Sequence, residues 1–139
     1  MLFRSGVIVA QGSRYGGFTL FLKDGHVIYE VNAFGNRAGQ LVSQASLKPG
    51  KTHIVLEVDP DSASPNNATL LSAPPPRPGT ASFTINGVAQ GKASFTNLNG
   101  SSYTETLDVG SDLGSPVSSA YQVPNRFAGK IDEVTIQLK

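Results

Sequence analysis

Apolar and polar positions alternate along almost the whole chain. Phe18, Leu20 and Leu22 share one face of residues 17–23, and Val27, Tyr29 and Val31 share one face of 26–31. Ile54, Leu56 and Val58 repeat the pattern, as do Ala81, Phe83 and Ile85. Val134, Ile136 and Leu138 close the chain in the same rhythm. A side-chain period of two belongs to strands buried on one face, the hallmark of packed antiparallel sheets. The stretch GVIVAQG at 6–12 reads as a further strand, already under way near the start of the chain. No run of ten residues offers apolar positions at three-and-four spacing, so any helix is one or two turns long.

The turns agree with the strands. Asp24-Gly25 and Asn86-Gly87 sit between alternating segments. Both pairs favour a type I′ hairpin, which needs positive φ at its two central residues. Seven or more strands with turn signals between them predict a two-sheet antiparallel β-sandwich. The stretch 59–79, DPDSASPNNATLLSAPPPRPG, interrupts the rhythm with six of the nine prolines and reads as a long hairpin connection. Near the C-terminus, Phe127, Gly129 and Ile131 have one parity, and Val134 and Ile136 the other. That slip predicts a bulge at Asp132-Glu133 within a closing strand over 130–138.

Composition narrows the functions open to such a fold. The 139 residues suit one domain. Cysteine is absent, which excludes disulfides, thiolate metal sites and a cysteine nucleophile. Eleven basic side chains against ten acidic ones give no field to hold nucleic acid or an anionic membrane surface. The apolar runs are too short for a spanning helix.

Two segments carry a family resemblance. F-x-G-x-I-D-x-V-x-I, from Phe127 to Ile136, resembles the last strand of laminin-G-like and concanavalin-like jelly-roll sandwiches. GVIVAQGSRYGGFTLFLKDGHVIYEVNAFG (6–35) and LDVGSDLGSPVSSAYQVPNRFAGKIDEVTIQL (107–138) together resemble the C-terminal accessory region of bacterial arylsulfatases. That family pairs a G-V-L-x-A-Q-G-like strand with a G-G-x-S/T-L-x-x-K-D-G hairpin and a later D-V-G-x-D-x-G-S-P-V segment. The resemblance implies an earlier strand beside the closing one. Here the chain starts with MLFRS, and Leu2-Phe3-Arg4-Ser5 is what the end of a common sequencing adapter encodes. Residues 1–5 are therefore expected to be a non-native scar. Residues 6–139 are expected to be a single sandwich domain, a fragment of assembled environmental sequence that lacks its first strand and exposes the edge of its closing one.

The resemblance implies a non-catalytic module, whose partner is the sulfatase domain of a parent chain. A periplasmic or extracellular location follows if that parent is exported. The sulfatase formylglycine motif C/S-x-P-x-R is mimicked only by Ala73-Pro74-Pro75-Pro76-Arg77, where alanine offers nothing to oxidise. His26 follows a hairpin turn and reads as exposed, and His53 falls on the polar face of its strand. Neither has a G-x-S-x-G context for a triad. No cofactor is called for. Calcium is the one candidate ion, through Asp108, Asp112, Asp59 and Asp61, but without the D-x-D-x-D spacing of a tight loop. The alternative function is a carbohydrate-binding module of a secreted hydrolase. Its candidates are aromatic platforms with flanking polar groups: Arg14, Tyr15, Tyr29, Phe34, Arg37, Tyr121, Asn125 and Arg126. Against that stands a packing role for Tyr29 and Phe34, and for Tyr121 as the pin of the loop from Asp112 to Pro124. A glucanase or lyase of jelly-roll type would need a carboxylate pair or a His–Tyr–Arg set on a concave face.

Overall fold

The computed structural model describes residues 5–61, 77–98 and 106–137, and these form a two-sheet antiparallel β-sandwich without a helix. One sheet has five strands: β1 (Gly6–Ser13), β2 (Gly16–Lys23), β3 (His26–Ala33), β4 (Asn36–Val42) and β8 (Leu107–Val109), in the order β4-β3-β2-β1-β8. The other holds β5 (Ile54–Pro60), β6 (Gly79–Ile85) and β7 (Val88–Phe95) in the order β5-β6-β7.

Turn chemistry sets the register. Asp24 and Gly25 take φ of 52° and 80°, and Asn86 and Gly87 take 50° and 79°, as type I′ hairpins require. The β1–β2 hairpin uses another device. At Gly12 a Cβ would lie 2.1 Å from the Gly16 carbonyl oxygen, and at Gly17 it would lie 2.0 Å from that of Gln11. Only glycine lets these two backbones approach so closely. The apolar sets predicted on residues 17–31, 54–58 and 81–85 face the gap between the sheets. Leu22, Val27, Tyr29, Val31, Ala81, Phe83 and Ile85 are buried there with Leu41 and Phe95, and Phe18, Leu20, Ile54, Leu56 and Val58 pack around them.

The sheets are joined along β4 and β7. The Thr96 amide donates to the Ala38 carbonyl at 2.9 Å, and the Gln44 amide to that of Gln90 at 3.0 Å. The far face of the five-stranded sheet is not left to solvent. Val7, Ala10, Phe21 and Ile28 pack there against Ala120 and Tyr121 of the loop 110–125. Alternation on β2 and β3 is therefore alternation between two buried faces.

The structure corrects several expectations. The Pro-rich connection is shorter than 59–79, because Pro60 pairs with Gly79 at the end of the β5–β6 ladder. The proline run and most of the Ala73–Arg77 window lie outside the described residues, as do residues 1–4 of the expected scar. Among the described residues 130–137 join no ladder, and neither the expected closing strand nor its bulge is seen there. Residues 125–128 run beside the start of β1, with Val7 N–H donating to Asn125 and Ala128 N–H to Ser5, and beyond them no ladder partner for 130–137 lies among the described residues. A strand pattern without a partner to bond to does not make a strand. His26 is half-buried rather than exposed, with Nδ1 2.9 Å from the Ser43 carbonyl.

Candidate functional site

Three loops converge at one end of the five-stranded sheet: the β1–β2 turn at Arg14-Tyr15, the β3–β4 turn at Phe34-Gly35, and the loop 110–125. Asn32 joins them. Its buried Nδ2 donates to the carbonyls of Arg14 (2.9 Å) and Val117 (3.0 Å), while Oδ1 accepts from Gly35 N–H at 2.9 Å. Both donors and the acceptor are thus used on backbone groups of three separate segments. The Arg14 amide in turn donates to Ser115 Oγ (3.0 Å), and the Tyr15 amide to Ser13 Oγ (3.1 Å).

Between the first turn and the long loop lies an open groove of about 590 Å³, lined by Ser13, Arg14, Tyr15, Ser115, Pro116 and Val123. Tyr15 keeps 69 % of its surface exposed, with the Arg14 guanidinium 5.6 Å from its ring centre. Phe34, on the neighbouring turn, is 70 % exposed and has φ of +54°.

The outer face of the same sheet carries a row of buried polar groups. Glu30 accepts from Arg37 Nε (3.1 Å) and Gln40 Nε2 (2.9 Å) through Oε1. Its cross-strand neighbour Thr19 is 3.0 Å from the Tyr121 hydroxyl, which donates to Asp112 Oδ2 at 2.5 Å. Asp112 Oδ2 also accepts the Val117 amide, and Asp108 Oδ2 accepts the Leu113 amide. Each aspartate thus holds the amide five residues on and shapes the loop. Burial, then the bond to Asp112, raise the Tyr121 phenol above its ordinary range.

The sequence candidates separate accordingly. Arg14 and Tyr15 line one groove, and Phe34 lies outside that lining on the neighbouring turn, which Asn32 ties to the first. Tyr29 is buried in the inter-sheet core between Phe18 and Phe95, where desolvation pushes its phenol up to about 12. That burial removes Tyr29 from any surface. Tyr121 lies edge-on to Phe21 and pins the loop. Arg37 is committed to Glu30. Asn125 and Arg126 lie along the start of β1, Asn125 through its carbonyl and Arg126 opposite Val7 in an isolated bridge. Among the described residues no three histidine, aspartate or glutamate side chains converge on a point that could hold a metal. Sequence reasoning missed Asn32 and Ser115. An asparagine inside a strand, three residues before a glycine, is a turn-forming signal that would have found the first. No family model, curated protein or solved structure matches the chain.

Proposed function

We propose that this sandwich is a non-catalytic accessory module of an arylsulfatase-type hydrolase, docked on the catalytic domain beside the substrate entrance. The resemblance of 6–35 and 107–138 supplies the family. One observation carries the docking: residues 130–137 have the alternation of a strand but bond to no strand among the described residues, and their apolar members Val134 and Ile136 are 36 % and 59 % exposed. A strand-patterned segment with free backbone groups adds readily to the edge of a partner's sheet. The short edge strand β8 adds exposed Leu107 and Val109. The ion pairs of Asp132 with Lys51 and Lys130 are solvent-exposed and do little to hold the segment down.

The test is complementation. A bacterial arylsulfatase catalytic domain deprived of its own C-terminal region is co-expressed with this chain. Co-elution, and slower heat inactivation of aryl-sulfate hydrolysis, are expected. Val134→Lys combined with Ile136→Lys should abolish both. Separate elution of the wild-type partners overturns the reading.

A further inference from the structure

We propose that the groove between the Arg14-Tyr15 turn and the loop 110–125 binds an anionic saccharide, a sugar unit bearing a sulfate or carboxylate. The inference is independent of the docking segment and concerns a different surface.

Four features point to this ligand. Arg14 forms none of the ion pairs among the described residues; its guanidinium rests over the Tyr15 ring instead. A guanidinium fork left free beside a groove matches the paired oxygens of a sulfate or carboxylate. Tyr15 and Phe34 then supply apolar ring faces of the kind that the C–H face of a pyranose covers. Phe34 is the more telling of the two. A phenylalanine in the left-handed region, here with φ of +54°, is strained, and asparagine or glycine would relieve that strain. Its ring, 70 % exposed, recovers little of this through burial. The fold alone gives no reason for phenylalanine at that turn, whereas a bound ring would. Lastly, Asn32 fixes both turns and the long loop to one another through backbone bonds, so the groove is held before any ligand arrives.

Affinity electrophoresis of the intact chain tests the proposal, in gels containing a sulfated galactan, the same galactan chemically desulfated, polygalacturonate, or neutral dextran. Retardation is expected in at least one of the two anionic gels and in neither uncharged one, and the gel that retards identifies the anion. Arg14→Gln should weaken retention about tenfold or more. Phe34→Asn separates binding from folding and from net charge: it should raise the melting temperature while weakening retention several-fold. Absence of retardation in both anionic gels overturns the proposal. So does retardation that Phe34→Asn and Tyr15→Ala leave unchanged, which would mark diffuse charge attraction. Neither substitution touches Val134 or Ile136, so loss of glycan retention and loss of co-elution with a sulfatase domain are separate results.

Discussion

The Tyr121 hydroxyl donates to the Asp112 carboxylate at 2.5 Å and stands 3.0 Å from the Thr19 hydroxyl, 102 residues away in the chain. A phenol has one proton to give, so Thr19 is the donor in the second bond. This relay fastens the loop 110–125 to the outer face of the sheet. Tyr121→Phe keeps the ring against Phe21 but takes a donor from a buried carboxylate. We expect a loss of about 1.5–3 kcal/mol, the range for a hydrogen bond to a charged group. Urea denaturation should show a lower midpoint with an unchanged slope.

The same phenol, with Tyr29, makes stability sensitive to alkali. Both ionise less readily in the folded chain than the ordinary value of 10.0. A pKa raised on folding contributes stability that is complete below the unfolded value and is lost as pH climbs toward the folded one. Stability should therefore be insensitive to these groups up to about pH 10. Above that it should fall by roughly 1.4 kcal/mol per pH unit for each fully buried tyrosine, somewhat less for half-buried Tyr121. Phenolate absorbance followed with pH should show two tyrosines that ionise only as the chain unfolds. Tyr29→Phe should flatten the fall between pH 10 and 12.

The fold was largely legible because alternation and turn chemistry are local signals. The sets Phe18-Leu20-Leu22, Val27-Tyr29-Val31, Ile54-Leu56-Val58 and Ala81-Phe83-Ile85 all face the core as their periodicity requires. Val134 and Ile136 show the limit of that argument: alternation states what a strand would bury, but not which strand it pairs with, and among the described residues this one pairs with none. The candidate site was legible only in part. Arg14 and Tyr15 stood out as a charged and aromatic pair in a turn. Tyr29 carried an identical local signal yet belongs to the core, and only the sheet pairing separates the two. The β3–β4 hairpin was hidden because Phe34 occupies the position where Asn86 and Asp24 announce the other two turns.

Asn32 should be the least replaceable residue of the loop end. Asn32→Asp is nearly isosteric and keeps the acceptor for the Gly35 amide. It also turns an oxygen toward the carbonyls of Arg14 and Val117, which now receive a proton from Nδ2. Two lost donors, with a carboxylate set against two carbonyl dipoles, should cost about 3 kcal/mol or more at neutral pH. Asn32→Ala, which loses the bonds without adding charge, should cost less. Thermal unfolding of the two variants side by side reads the difference. Equal losses would mean that water already satisfies those carbonyls.

The junction of the sheets depends on a side chain that is absent. At Gly39 on β4 a Cβ would lie 2.3 Å from Cδ2 of Phe95, whose buried ring is 5.6 Å from that of Tyr29. The two backbones are tied together here, because the Thr96 amide is bonded to the neighbouring Ala38 carbonyl. Gly39→Ala should therefore cost about 1–3 kcal/mol by overpacking, despite alanine's smaller loss of backbone entropy. Phe95→Leu alone should cost about 1–2 kcal/mol through the space it leaves. In the double variant the new methyl enters that space, so the combined loss should fall short of the sum by about 1 kcal/mol or more. Chemical denaturation of the three variants closes the cycle. A purely additive result would show that the strand shifts as a unit and that Phe95 is not what keeps position 39 bare.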